Sequence, residues 1–327
     1  MQPIGGYFSL ELPKYEEYHT NAIKLNTGRN CLEYILRSKK YSRVYIPYYS
    51  CIVMLEPFQK LGVNYSFYHI NHNLEIAEEI TLHRNEAILY INYFGLKERY
   101  IRKLSEDYGN RLIVDNTQAF YSPPISGIDT FYTCRKFFGV PDGAYLYTDA
   151  SSDFELEQDV SYDRVESLVK RIDLSPEAGY KDFRKVSDGF IGQSIKKMSA
   201  LTERLMQSID YTSVAQSRRN NFIRLHKALS STNLLNINLD ASTVPMTYPY
   251  LTKASLLREN LISKKIFIPK FWPCVLEWCT SYDIEHILAR DLCPLPIDQR
   301  YNIEDMDIII KNIELTNPID CKNFNHV

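Results

Sequence analysis

The sequence has no basic excess. Among its 327 residues, 38 Lys and Arg stand against 40 Asp and Glu, for a net charge of −2. Nucleic acid and anionic membrane surfaces are therefore not expected as partners. No apolar run approaches the roughly 18 residues that a membrane-spanning helix needs. Residues 1–10 lack a cationic start followed by an apolar stretch, so no signal peptide is expected. The seven Cys are odd in number and form no Cys-x-x-Cys pair. That argues against a disulfide framework or a structural zinc site and fits a reducing compartment. His69 and His72 are three apart but lack an acidic or thiol partner, so no metal is expected. There is no internal repeat and no low-complexity tract. The expectation is a soluble cytoplasmic protein.

What is present is ordinary for a globular chain, with 45% hydrophobic and 24% charged residues. The length suits one large domain and a smaller one. Short β-rich runs (44–47, 65–70, 87–92, 112–115 and 144–148) alternate with helical stretches (31–37, 52–61 and 98–108). This alternation predicts a mostly parallel sheet covered on both faces, with a ligand site at the C-terminal ends of its strands. Gly109 suits the end of the third helix. Residues 151–195 are polar and read as a surface loop with short helices. Two long helices are expected next. Met198, Leu201, Leu205 and Ile209 mark the first, and Phe222, Leu225 and Leu229 the second. Arg218 and Arg219 open that second helix as a solvated or dimer-facing patch. From residue 230 the composition turns to short strands, turns and prolines. Asn302, with Asp305 three residues on, caps a last helix over 303–313. The expected domains are 1–229 and 230–327, the latter a smaller α+β unit. Arg258 reads as a helix-surface residue, and Trp272 and Trp278 as packing within the small domain.

Four pieces of the large domain carry possible chemistry. Asn26-Thr27-Gly28-Arg29-Asn30 precedes a helix. Free N–H groups and the positive dipole end there suit a phosphate, though simple capping explains such a turn equally. Leu112-Ile113-Val114-Asp115 ends an apolar strand in a carboxylate. That group is either a turn residue or a charge partner for a cation, a metal or a protonated ring nitrogen. Gln118 follows one turn later. Thr133-Cys134-Arg135-Lys136 leads into Phe137-Phe138-Gly139-Val140-Pro141-Asp142-Gly143-Ala144. A lysine in an apolar, aromatic setting has its charged form disfavoured and its amine made nucleophilic. A surface lysine is the plainer alternative. Pro47-Tyr48-Tyr49-Ser50-Cys51 ends another strand and offers a ring either to a flat ligand or to the core.

Together these pieces resemble the DegT/DnrJ/StrS family of aminotransferases that depend on pyridoxal phosphate (PLP). The resemblance covers most of the chain. It rests on Gly5-Gly6, on Gly28-Arg29-Asn30, on Asp115-x-x-Gln118-Ala119, on Thr133-x-Arg135-Lys136 and on Asp142-Gly143-Ala144 in order. It implies the aspartate-aminotransferase-like α/β fold, PLP fold type I. It implies that Lys136 binds PLP covalently, that Asp115 pairs with the ring nitrogen and that Gln118 meets the ring oxygen. Thr133 and the Gly28, Arg29 and Asn30 backbone would hold the phosphate. Cys51 stands where the family has an aromatic residue over the ring, and Tyr49 is the nearby ring that replaces it. An Asn that normally comes from the partner subunit has no counterpart near Ile195; Lys196 or Lys197 takes its place. The implied activity is transfer of an amino group from an amino acid, commonly glutamate, to a nucleotide-linked keto sugar, by a homodimer with its sites at the subunit boundary. A non-sugar ketone or a non-catalytic relative of the fold are the alternatives.

Overall fold

The computed structural model describes residues 4–152, 154–254 and 256–316. Cys321 and the end of the expected second domain lie outside the described residues.

A seven-stranded sheet forms the centre, in the order β1-β7-β6-β5-β4-β2-β3. The strands are β1 (Ile23–Leu25), β2 (Arg43–Pro47), β3 (Asn64–Tyr68), β4 (Glu86–Ile91), β5 (Leu112–Asp115), β6 (Asp129–Thr133) and β7 (Ala144–Tyr147). The pairs β2–β3, β2–β4, β4–β5 and β5–β6 are parallel. β7 runs antiparallel to both β6 and β1, so β1 points the same way as the parallel set. Every residue of β4 and β5 is buried. A parallel sheet covered on both faces demands this, and it explains why these runs read as apolar rather than alternating.

Helices α1 (Gly28–Lys39), α2 (Leu55–Leu61) and α3 (Glu98–Tyr108) connect these strands. Thr27 caps α1, its hydroxyl accepting from the Asn30 N–H at 3.1 Å. Gly109 ends α3 at φ +56°, its N–H returning to the Ser105 carbonyl. The expected helix over 52–61 breaks into a 3-10 turn, Ile52–Met54, followed by α2. Pro57 lacks the N–H that an α-helix would bond back to Val53. Residues 151–195 contain two helices packed on each other, α4 (Glu166–Asp173) and α5 (Pro176–Asp188).

The helix expected around Met198 is short, only α6 (Ala200–Met206). Ser199 caps it, so Met198 falls outside, where its side chain is buried as core. In α7 (Tyr211–Leu229) Asp210 is the cap, and Arg218 and Arg219 lie in mid-helix rather than at its start. The expected solvated patch is also wrong for Arg218, which is 1% exposed.

Among the described residues the C-terminal part holds more helix than the expected short strands and turns. A two-stranded antiparallel sheet joins β8 (Tyr248–Leu251) and β9 (Leu292–Leu295). Around it lie α8 (Leu257–Ser263), α9 (Val275–Trp278), α10 (Ile284–Asp291) and α11 (Ile303–Thr316). Tyr248, Leu261, Leu295, Met306 and Ile309 form a second core, to which α7 adds Phe222, Leu225 and Leu229. Asn302 and Asp305 cap α11 reciprocally, at 3.1 and 3.0 Å. Arg258 is not a free surface cation, since it donates to the carbonyls of Ile268, Pro269 and Leu292. Trp272 and Trp278 do not pack within the small domain but against the core of the central sheet, Trp278 on Phe67 with ring centroids 5.1 Å apart. Among the described residues no helix is long and apolar enough to cross a membrane.

Candidate active site

Because β1, β2, β4, β5 and β6 point one way, the chain after each leaves at one edge of the sheet. Residues 26–30, 48–51, 92–95, 115–119 and 133–138 therefore share that edge.

Lys136 sits in a tight turn after β6, where the N–H groups of Phe137 and Phe138 both return to the Cys134 carbonyl. Its Nζ donates to Thr117 Oγ1 at 2.9 Å. Asp115, 5% exposed at the tip of β5, accepts from the Thr117 N–H at 2.8 Å through Oδ1. No ion pair joins Lys136 to Asp115 among the described residues; Thr117 links them. Solvent reaches the Lys136 side chain on one side, while protein encloses the rest. That enclosure lowers the pKa of the amine, and the nearby Asp115 and Cys51 oppose the shift. Burial raises the carboxyl pKa of Asp115, and Lys136 and the Thr117 hydrogen bonds oppose it. An amine less willing to be charged thus faces a carboxylate that gains from a positive partner.

The start of α1 lies beside them. A Cβ on Gly28 would come within 3.2 Å of Thr117 Cγ2 and 3.9 Å of Thr133 Cβ. Any side chain at Gly28 would fill the space between the helix start and those two threonines. The backbone N–H groups of Gly28 and Arg29, in the first turn of α1, have no helical acceptor. The N–H of Asn30 is already taken by Thr27, so Asn30 does not join them. The Asn30 side chain instead binds Asn26 Oδ1 and the Ser194 carbonyl, both at 2.8 Å. The Arg29 guanidinium turns away to Glu56 and the Phe190 carbonyl. Thr133 Oγ1 has only a long contact, 3.4 Å, to the Gly143 carbonyl.

Gln118 is 1% exposed. Its Oε1 accepts from the Phe94 N–H at 2.7 Å. Its Nε2 has no partner among the described residues. A buried donor left unpaired costs about 1–3 kcal/mol, so a partner from outside the chain would be well received.

Tyr49 does not reach the site. It is 0% exposed, packed edge-on against Trp272 at 4.8 Å, with its hydroxyl toward the Phe271 carbonyl. A ring without accessible surface has no face to offer a cofactor. Cys51 is half-buried and close enough to Lys136 to influence its charge. Asp142 is a structural residue, taking the N–H and hydroxyl of Ser199 and the hydroxyl of Thr202 at the start of α6.

The motif reading missed two residues. Thr117 was readable only as the second residue after a strand-ending Asp. Arg218 had no sequence signal. Its guanidinium donates to Gln299 Oε1 (3.1 Å), the Met246 carbonyl (3.0 Å) and the Phe137 carbonyl (3.2 Å), and it lies 4.5 Å from the Phe137 ring centroid. It therefore braces the turn that carries Lys136.

This sheet order and its flanking helices define an α/β fold of the PLP fold type I class, the fold of many aminotransferases. Three solved structures share it over nearly the whole chain. Spr1654 of Streptococcus pneumoniae, in its PLP form, is 15% identical and superposes with a TM-score of 0.63, covering 92% of this chain and 88% of its own. The sugar aminotransferase CalS13 of Micromonospora echinospora is 12% identical with a TM-score of 0.61, covering 90% and 87%. A DegT DnrJ EryC1 StrS aminotransferase of Brucella abortus is 13% identical with a TM-score of 0.57, covering 90% and 85%. No protein-family model and no curated protein sequence matches the chain.

Proposed function

We propose that the protein is a PLP-dependent aminotransferase. It takes an amino group from an amino acid, glutamate being the expected donor. It delivers that group to a keto sugar, in nucleotide-linked form, for surface-glycan biosynthesis. The observation that carries this reading is the chain of contacts from Lys136 through Thr117 to Asp115 at the C-terminal edge of the sheet.

The donor set fits PLP. An amine, a buried carboxylate, an unpaired Gln118 N–H and a glycine-lined helix start match an aldehyde, a ring nitrogen, a phenolic oxygen and a phosphate in turn. Lys136 would hold the aldehyde carbon, Asp115 the ring N–H and Gln118 the ring oxygen. The Gly28 and Arg29 N–H groups and the Thr133 hydroxyl would hold the phosphate. When bound, the cofactor supplies an electron sink for charge on the substrate carbon.

The protein's own work is then specific. Lys136 Nζ takes the proton from the substrate carbon and returns it, and the lowered amine pKa keeps more of it in the accepting form. The Asp115 carboxylate, buried at the tip of β5, would hold a proton on the ring nitrogen. Residues 1–229 carry the site, the described residues after 229 form the smaller unit, and α7 packs Phe222, Leu225 and Leu229 into that unit's core. The sugar acceptor is supported by the likeness to CalS13, and the cofactor by the likeness to Spr1654 in its PLP form. A cytoplasmic homodimer with sites at the subunit boundary completes the proposal. A non-sugar ketone is the second reading, motivated by Cys51, which offers no ring at the site.

The test is direct. Purified protein should take up PLP and turn yellow, and glutamate should bleach the colour. A nucleotide keto sugar should restore it. Protein that stays colourless with added PLP contradicts the proposal.

A further inference from the structure

We propose that Thr117 is a catalytic residue, whose hydroxyl holds the Lys136 amine in both of its protonation states; the role rests on the aminotransferase reading above. Three contacts fix Thr117, one through its backbone and two through its side chain. Its N–H is pinned by Asp115 Oδ1 at 2.8 Å. Its Cγ2 faces the α-carbon of Gly28, where an added Cβ would sit 3.2 Å away. Its Oγ1 takes the Lys136 Nζ at 2.9 Å. With the methyl group occupied toward α1, the hydroxyl faces the lysine on one side and the Asp115 carboxyl on the other.

A hydroxyl both accepts and donates. Toward an ammonium it accepts an N–H. Toward a free amine it turns its O–H onto the nitrogen lone pair. The same atom can therefore hold Lys136 before and after it takes a proton, and no proton resides on Thr117. When Lys136 Nζ gains the proton from the substrate carbon, it becomes an ammonium that donates to Oγ1. When it returns the proton, Oγ1–H donates back. The other groups that bear on the amine's charge are Asp115 from the end of β5 and Cys51 from the loop after β2. Neither is hydrogen-bonded to Nζ, so Thr117 is the group that sets its position.

The experiment begins without cofactor. Lys136 in PLP-free protein is reacted with trinitrobenzenesulfonate across a range of pH, and its modification is followed by peptide mass spectrometry. Wild type, Thr117→Val and Thr117→Ser are compared, with thermal melts as the folding control and Thr117→Ala in reserve if the valine variant does not fold. Valine keeps the shape and removes the acceptor. On the acid side of the profile it should raise the rate about tenfold, because the ammonium has lost a charge-assisted hydrogen bond. Serine should follow wild type. In PLP-loaded protein, Thr117→Val should slow a single half-reaction with glutamate about tenfold and leave PLP affinity unchanged. A valine profile that superimposes on wild type, or a serine variant that behaves like valine, overturns the role. If the profile shifts but loaded wild type never reacts with glutamate, the aminotransferase reading fails and the Thr117–Lys136 hold stands.

Discussion

Acid should weaken this protein through His19. His19 is 1% exposed and ringed by Tyr18, Phe120, Tyr132 and Tyr145. Its Nε2 lies 2.9 Å from the Phe120 carbonyl, which can only accept, so that nitrogen carries the hydrogen. Its Nδ1 then accepts from the Tyr147 hydroxyl at 3.1 Å. The neutral ring is satisfied at both ends. A second proton would place a charge among buried aromatic rings, with little solvent to stabilise it. Burial pushes the His19 pKa down from 6.5 to about 4, against the opposing Phe120 bond. Between those values the unfolded chain binds a proton that the folded protein refuses. The contribution is therefore whole above about 6.5 and is lost progressively as pH falls to about 4. At about 1.4 kcal/mol per unit, that is about 3 kcal/mol in all, of which about 2 kcal/mol is gone by pH 5. Urea midpoints at pH 7.5, 6 and 5 measure it. His19→Gln can donate to Phe120 and accept from Tyr147 but does not titrate, so the wild-type loss should exceed the variant's by that amount. Parallel losses in the two proteins would refute the reasoning. Phe120 follows directly on the segment that carries Asp115 and Gln118, so cofactor retention should fall over the same range.

Three further outcomes are expected. Gly143→Ala places a Cβ 2.8 Å from Thr202 Cγ2 and 3.0 Å from Cys134 Sγ at φ +105°; it should cost about 3 kcal/mol in urea unfolding and loosen PLP, since Cys134 begins the lysine turn. Arg218→Met strips a donor from the half-buried Met246 carbonyl and one of two from the buried Phe137 carbonyl, where Gln299 keeps the other, and should cost about 2 kcal/mol, with Arg218→Lys recovering only part because it lacks the guanidinium fork. Asp115→Asn removes the charge that favours protonated Lys136, so the lysine's reaction profile should move to lower pH, and PLP affinity by equilibrium dialysis should fall.

The parts of the fold legible in the sequence are those whose cause is local. Leu112–Asp115 reads as a buried strand because its first three residues are apolar, and the Asp115 carboxylate then falls at the sheet's edge. The capping of α11 by Asn302 and Asp305 needs only four residues of chain. β6 was not legible. It begins with Asp129 and Thr130, both buried, and the partners of Asp129 Oδ1 are distant in sequence or in another element, Thr148 and Lys39 of α1. Tyr49 looked free to stack on a ligand, but the residues that cover it, Phe271 and Trp272, lie more than two hundred positions later. Arg218 likewise looked exposed, and the carbonyls that bury it come from residues 137, 245 and 246. Of the expected phosphate loop, the helix start was visible. The loss of Asn30 to its own cap was not, because either use of the turn leaves the same sequence.

The account's central claim is that Lys136 and Asp115 hold PLP between them. Borohydride reduction of PLP-loaded protein, followed by peptide mapping, tests it most directly. The account predicts one pyridoxyl group per chain, fixed on Lys136, with labelling reduced in Asp115→Asn at limiting PLP. Label on another lysine, or none, would contradict it.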